Sequence, residues 1–217
     1  MDPKERYNDP EEAFRTAVKG LLSGLWTALP GIINTVNATA MTVTVQPAIM
    51  AQQRLPDGTI QQIKLPLLLD VPIVFQGGGN FIATFPITAG DEALVVFSSR
   101  CIDSWWQSGN VQTQAELRMH DLSDGFAIIG PRSQPNVISG GLSTSKAQLR
   151  TLDGTTAISV ESGKITLSAN EVVLHAVNKI TFDAGGTGFV YTPSLIDTYT
   201  DGVTSNHHYP NPPEVPT

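Results

Sequence analysis

Residues 156–186 contain four short units in succession: I-S-V-E-S-G-K (158–164), I-T-L-S-A-N-E (165–171), V-V-L-H-A-V-N (172–178) and K-I-T-F-D-A-G (179–185). Each unit carries one pair of apolar residues two positions apart, and the pairs begin 7, 7 and 8 residues apart. A period of two is typical of a strand with one buried face. Turn-prone residues at 162–163, 169–170 and 178 separate the units. The pairs are Ile158/Val160, Ile165/Leu167, Val172/Leu174 and Ile180/Phe182.

An array of such short strands cannot bury its own apolar stripe, because a unit of this size has no second layer. Only a proline-rich tail follows it, so identical chains around an axis are the economical cover. Three copies would close a narrow β-prism or intertwined β-helix with an apolar centre and no open edge. We therefore predict a homotrimer whose core is formed by the eight residues of the four pairs. The alternative is an ordinary meander in a monomeric sandwich.

The composition argues against several classes of partner. The 217 residues are 41% hydrophobic and 15% charged, with a net charge of −7 and no cluster of basic residues. Nucleic acid and an anionic membrane surface are therefore not expected as partners. The single cysteine, Cys101, allows no intrachain disulfide and is expected to be a small buried residue. No signal peptide and no membrane-spanning run is expected, which places synthesis in a cytoplasm.

The N-terminal part, residues 1–30, is predicted to hold an amphipathic helix over 9–29. Asp9 is suited to cap it, Pro10 to its first turn, and Glu12 to the capping-box position. Apolar residues then recur at a spacing of three to four as far as Leu29, before Pro30-Gly31 ends the pattern. Two interpretations are open: a helix that plugs one end of the following domain, and a helix that docks a neighbouring protein.

Residues 31–132 are predicted to form a small β-barrel. Turn signals lie at Asp57-Gly58, at 77–80 and at 89–91. Short strands at this spacing favour an OB-like barrel. The predicted strands are 32–37, 39–47, 60–65, 71–76, 81–86, 92–98 and 126–129.

Beyond the barrel, residues 133–155 are rich in Ser, Thr and Gly and are predicted to be a linker. The trimeric array of short strands is assigned to 156–200 and its tip to 201–217. Four prolines among the last eight residues exclude a regular ending.

Signals of catalysis are weak, and no enzyme activity is expected. The glycines at 77–79 lack the G-K-[ST] of a phosphate-binding loop. Ser143 and Lys146 match Ser-x-x-Lys without its companion motifs. The carboxylates near 116–124 have no opposing partner that would suggest a glycosidase. Trp105-Trp106 forms the main aromatic cluster and is expected to pack against the barrel or a neighbouring subunit.

His207-His208 is the pair of residues most suggestive of a metal site. If three chains meet on an axis, two imidazoles from each give six nitrogen ligands, which suits an octahedral transition metal. His175 is expected to face solvent, on the side opposite the apolar stripe. His120, between Arg118 and Asp121, is expected to be structural.

Five segments resemble the membrane-puncturing central spike proteins of contractile-tailed phage baseplates. They are T-V-N-A-T-A-M-T-V-T-V-Q-P-A-I (35–49), L-P-L-L-L-D-V-P-I-V-F (65–75), P-I-T-A-G-D-E-A-L-V-V-F-S (86–98), I-D-S-W-W-Q-S-G (102–109) and R-M-H-D-L-S-D-G-F-A-I-I-G (118–130). The resemblance implies an N-terminal OB domain, a trimeric β-helical spike and a tip that holds one iron per trimer through histidines. Related tips use His-x-His, whereas His207 and His208 are adjacent and would point to opposite sides of a strand.

The resemblance further implies a non-catalytic virion protein of the tail baseplate. Its expected partners are two further copies of itself, the baseplate hub or tail tube, and the host outer membrane, which it would pierce when the tail contracts. The alternative is a receptor- or glycan-binding tail-tip protein that uses Trp105, Trp106 or Tyr199 as a stacking platform.

Overall fold

The computed structural model describes residues 10–185 with their side chains, and the backbone of 187–192, 195–200 and 203–207. The chain forms two compact units, Met1–Val137 and Ile138–Thr217. In the part that is described, no helix has the length and apolar character needed to span a membrane.

The first helix, α1, spans Pro10–Ser23 and is shorter than the predicted helix over 9–29. It ends before Gly24, and the chain that follows is drawn into the barrel. Trp26 donates its backbone N–H to the His120 carbonyl, and its side chain packs against the barrel core. Ala28 already pairs with a strand. No residue of α1 is buried, so the helix does not plug the barrel, whereas the docking interpretation stays open.

Nine strands, a short helix and a 3-10 turn at Gln134–Asn136 follow α1 among the described residues of the first unit. The strands are β1 (Ala28–Asn37), β2 (Thr42–Pro47), β3 (Ala51–Arg54), β4 (Ile60–Ile63), β5 (Leu68–Val74), β6 (Gln76–Gly78), β7 (Phe81–Ala83), β8 (Glu92–Phe97) and β9 (Gly125–Ile129). Helix α2 spans Asp103–Ser108, between β8 and β9.

Five of these strands close a barrel in the order β1-β2-β5-β9-β8. Strands β5 and β9 pair in parallel, and the other four neighbouring pairs are antiparallel. A closed five-stranded barrel of this kind is typical of the OB fold. The predicted mainly β fold with an OB-like barrel is therefore confirmed.

The barrel interior is filled by residues at alternate positions of its strands. In β8, Ala93, Val95 and Phe97 are buried, and in β2, Val43 and Val45 are buried. Alternation follows from the pleat, which points successive side chains to opposite faces. The other buried members of this core are Ile33, Leu68, Val71 and Ala127.

Two short hairpins project from the barrel as separate two-stranded sheets, β3–β4 and β6–β7. The predicted Asp57-Gly58 turn joins β3 to β4, and a carboxylate oxygen of Asp57 accepts the Thr59 N–H at 2.9 Å. Strand β3 was not predicted because its sequence A-Q-Q-R has no apolar alternation. Strand β2 begins at Thr42 rather than at 39 because Met41 adopts a φ of 55° in the preceding turn.

The second unit contains two small sheets. The first has the order β10-β11-β12, with β10 at Ala147–Arg150, β11 at Ala157–Glu161 and β12 at Lys164–Ser168. The second has the order β13-β14-β15-β16, at Ile180–Ala184, Thr187–Thr192, Leu195–Thr200 and Val203–His207. All neighbouring strands in both sheets are antiparallel.

Three predictions for the residues that follow the barrel need correction. Strand β10 and a 3-10 turn at Gln134–Asn136 lie within the predicted linker over 133–155. The predicted strand at Val172/Leu174 is absent, and residues 169–179 contain no strand. Val173 and Val177 interrupt the alternation there, and none of the described strands pairs with this segment. Strand β16 extends into the segment predicted to be the tip, where residues 208–217 lie outside the described residues.

Candidate functional site

The β10–β12 sheet presents an exposed apolar face. Its register places Ile158 opposite both Leu149 and Leu167, and Val160 opposite Ile165. Directly opposed residues share a face, and so do residues two positions apart, so these five side chains form one surface. They are 46–71% exposed in the single chain. We call these five residues, Leu149, Ile158, Val160, Ile165 and Leu167, the apolar face.

The other face of the same sheet is polar and is partly covered. Ala157 and Ser159 are buried there, and the Ser159 hydroxyl accepts a hydrogen bond from the Gln148 amide at 3.0 Å. The Arg150 guanidinium reaches the carbonyls of Ser139 and Gly141 at 3.2 and 3.0 Å. A sheet that buries residues of its polar face and leaves its apolar face exposed is suited to bind a partner through the apolar face.

The structure brings together half of the predicted trimer-core residues. Ile180 and Phe182 lie in the other sheet, where β13 places them opposite Tyr191 and Phe189 of β14. Val172 and Leu174 are exposed and belong to no strand. The remaining four lie on the apolar face.

Leu149 is a member of the apolar face that sequence reasoning missed. Its signal was the alternation of Ala147 and Leu149 just before the Asp153-Gly154 turn. That signal was outweighed by the Ser- and Gly-rich composition of the surrounding segment.

In the barrel unit, Arg118 joins three carboxylates. Its guanidinium bonds Asp124 twice, at 2.7 and 3.0 Å, and also bonds Asp103 at 2.8 Å and Glu116 at 2.9 Å. The hydrogen bonds to Asp124 are the main reason why the pKa of Arg118 is raised above its ordinary value. The Asp124 side chain is fully buried and that of Arg118 is 19% exposed. Arg118 and Asp124 therefore form a largely buried ion pair, and the partly exposed carboxylates of Asp103 and Glu116 extend it to the surface.

Asp124 fixes the start of helix α2. Its side chain accepts the Ile102 N–H at 2.9 Å, and its carbonyl accepts the Ser98 N–H at 2.8 Å. The Cys101 thiol sulfur and carboxylate oxygens of Asp103 and Asp124 lie within 4.8 Å of one another. Both carboxylates already bond Arg118, so their arrangement is explained without a metal ion.

Helix α2 carries two partly exposed tryptophans. Trp105 meets Phe126 of β9 edge-on, with ring centroids 5.7 Å apart, and Trp106 lies 6.3 Å from Trp105. The indoles are 45% and 37% exposed, and the adjoining Asp103 and Glu116 side chains are 50% and 65% exposed. We call Asp103, Trp105, Trp106 and Glu116 the tryptophan surface. The expectation that the tryptophans pack against the barrel is confirmed for Trp105.

The histidines have different environments. His120 Nδ1 lies 3.2 Å from the Trp26 carbonyl oxygen, which ties the loop before β9 to the start of β1. His175 is exposed, as predicted. The backbone of His207 ends strand β16, but its side chain and all of His208 lie outside the described residues, so the predicted metal ligands stay a prediction.

The Ser143-x-x-Lys146 motif is a turn. The Ser143 hydroxyl accepts the backbone N–H groups of Ser145 and Lys146 at 3.3 and 3.2 Å. The hydroxyl therefore satisfies backbone donors, as serine commonly does in turns.

Residues 29–130 match the family model of the phage protein Gp138 N-terminal domain. The matched segment runs from the beginning of β1 to the end of β9 and so coincides with the barrel. No curated protein matches the chain. The match indicates a phage structural protein of the tail or baseplate type, and thus a component of the virion.

Proposed function

We propose that three copies of this chain form the central spike of a contractile phage tail and pierce the host outer membrane when the tail fires. The barrel seats the spike on the baseplate hub or tail tube. The second unit supplies the rigid shaft, and the protein carries out no catalysis, because the tail sheath supplies the force.

The exposed apolar face carries this proposal. Burying apolar surface stabilises an assembly by about 25 cal/mol per Å², and this face has no cover within the described part of its own chain. A sheet with a single apolar face is well suited to meet its copies around an axis, since three such faces enclose one dry centre. The match to a phage tail or baseplate domain supports the same conclusion from the other unit.

The proposed tip holds one iron, or another octahedral transition metal, per trimer through His207 and His208. Both imidazoles of each chain would be needed to reach six nitrogen ligands. The ion would hold the three chains together beside the proline-rich residues 210–217, whose composition disfavours strand pairing.

Native mass spectrometry before and after treatment with a strong chelator tests the assembly and the tip separately. We expect three chains plus one metal ion, with the ion lost on chelation or in the variant His207→Ala/His208→Ala. A trimer without metal would contradict the proposed metal site at the tip and leave the proposed trimeric shaft in place. A monomer at micromolar concentration would overturn the proposed assembly.

A matched pair of variants tests which surface holds the trimer together. Val160→Asp places a carboxylate on the apolar face, so we expect monomers. Val111→Asp makes the same change at a 99% exposed valine of the barrel unit, so the trimer should persist. Equal behaviour of the two variants would contradict the role of the apolar face.

The exposed indoles of Trp105 and Trp106 favour a second candidate, a receptor- or glycan-binding tail-tip protein. Glycan-binding platforms rely on an open aromatic face, whereas the Trp105 ring packs edge-on against Phe126 and lies beside acidic groups. Retention on a glycan array, lost in Trp106→Ala, would favour this candidate over the spike.

A further inference from the structure

The β3–β4 hairpin and the tryptophan surface leave the barrel at the same end. Strands β2 and β8 both pair antiparallel with β1, so they run in the same direction. The hairpin follows the end of β2, and α2 follows the end of β8. In a ring of copies whose barrels stand side by side, the two features would therefore lie at one level.

Among the described strands, β3 and β4 pair only with each other, so the hairpin is an arm. Every residue of β3 and β4 except Ala51 and Ile63 is exposed. Arg54 lies opposite Ile60 in the register, so the two side chains share one face. Arg54 forms no ion pair within the described part of the chain, and Ile60 is 63% exposed. An isolated two-stranded hairpin is marginally stable in water, so this arm gains from a partner.

The tryptophan surface is acidic, whereas Arg54 of the hairpin is basic. Its four residues and the adjoining Asp124 place three carboxylates around the single guanidinium of Arg118, which leaves an excess of negative charge. Trp105 packs edge-on against Phe126, and Trp106 lies 6.3 Å from Trp105, so the Trp105 indole has little side-chain freedom left to lose on binding. Tryptophans beside carboxylates suit a cation with an adjacent aliphatic group.

We propose that the β3–β4 hairpin of one copy docks on the tryptophan surface of the next copy, with Arg54 against Glu116 and the indoles and Ile60 beside it. The contact is heterologous, and three such contacts close a ring at the barrel level. This inference rests on the proposed homotrimer, to which it adds an interface in the barrel unit, separate from the apolar face.

Cross-linking of the full chain tests the contact. Arg54→Cys/Glu116→Cys is treated with a short bismaleimide, because an arginine–carboxylate pair separates two backbones by more than a disulfide spans. We expect covalent dimers and trimers on a denaturing gel. The matched control, Arg54→Cys/Arg15→Cys, and the unmodified chain with its buried Cys101 should stay uncrosslinked.

The outcomes separate this inference from the proposed function. A chain that is trimeric by sedimentation but forms no intermolecular cross-link, or only an intramolecular one, overturns the hairpin contact and leaves the spike standing. A chain that is monomeric by sedimentation overturns both the proposed homotrimer and the hairpin contact.

Charge reversal provides a second test that does not depend on cysteine chemistry. Arg54→Glu and Glu116→Arg should each weaken trimer assembly roughly tenfold, and the double variant should recover most of the loss. Unchanged assembly in both single variants would overturn the contact. Equal losses without recovery in the double variant would do the same.

Discussion

The strands of the barrel and of the β10–β12 sheet have the same alternation of apolar residues, but the large apolar side chains are buried only in the barrel. In β2, Val43 and Val45 are 1% and 0% exposed, whereas Ile158 and Val160 of β11 are 46% and 48% exposed. The barrel closes on itself, so the far wall covers each apolar side chain, but a three-stranded sheet has no far wall. Periodicity in a sequence therefore reports which face of a strand is apolar, and the number of available strands decides what covers it.

The two regions also differ in their ion pairs. Arg118 and Asp124 are largely buried, whereas Lys164 is 67% exposed and lies 3.7 Å from Glu161 across the turn between β11 and β12. Removing one partner of a buried pair leaves an uncompensated charge, but an exposed charge stays hydrated.

The largest effect is therefore expected from Arg118→Met. Asp124 would lose its cationic partner in the interior and α2 would lose its anchor, so the barrel should lose about 3–5 kcal/mol of unfolding free energy. Urea unfolding followed by tryptophan fluorescence measures this directly, because Trp26, Trp105 and Trp106 all lie in the barrel unit.

The matched control is Lys164→Met, which removes the cation of the exposed pair in the other unit. We expect a loss below about 1 kcal/mol from that change. If Arg118→Met and Lys164→Met lower the unfolding free energy by the same amount, the Arg118 cluster contributes no more than a surface salt bridge.

A smaller but sharper contrast is expected from two identical substitutions, Ile33→Ala and Ile158→Ala. Ile33 is 1% exposed in the barrel, so its truncation should cost about 2–5 kcal/mol at any protein concentration. Ile158 is 46% exposed in the single chain, so its truncation should leave the isolated chain almost unchanged and weaken the trimer.

Unfolding measured over a hundredfold range of protein concentration distinguishes the two effects. The midpoint of Ile33→Ala should shift by the same amount throughout, whereas that of Ile158→Ala should approach the midpoint of the unmodified chain on dilution. A concentration-independent loss in Ile158→Ala would mean that the apolar face is covered by its own chain.

The barrel could be predicted from sequence because its strands alternate cleanly and its turns carry strong signals. Asp57-Gly58 and the turn at 89–91 are examples. Strand β3 and helix α2 could not, because A-Q-Q-R has no apolar period and D-S-W-W-Q-S is too short to show one. Their form depends on tertiary contacts, such as the Asp124 carboxylate that holds the Ile102 N–H.

The candidate site was predicted only in part, for a similar reason. Ile158, Val160, Ile165 and Leu167 followed from period two, but Leu149 joins them through the pairing of β10 with β11. The Arg118 cluster depends on Asp103, which lies 15 residues away in sequence. A contact at that separation is set by the closure of the barrel, which no local pattern reports.

The smallest effect is expected from the titration of Glu92, a carboxylate of the barrel unit. A carboxylate of the second unit, Asp153, should behave in the same way. Glu92 accepts hydrogen bonds from the Ser133 N–H and hydroxyl, both at 2.5 Å, and from the Asn136 amide at 2.8 Å. The Ser133 hydroxyl is the main reason why the pKa of Glu92 is lowered from its ordinary value of 4.5. In the second unit, the Thr151 hydroxyl likewise lowers the pKa of Asp153.

A lowered pKa means that the folded chain prefers the charged carboxylate, so these bonds contribute stability above the ordinary pKa and lose it as the pH falls through the lowered value. We expect the Ser133 and Thr155 amide resonances to move together with the titration of Glu92 and Asp153 in acid, while the barrel core stays folded. Glu92→Gln should abolish the transition at Ser133 and leave that at Thr155 intact. A Ser133 resonance that still titrates in Glu92→Gln would show that another group holds the 3-10 turn after β9. The segment from Ser133 to Asn136 would then be held by contacts other than those with Glu92.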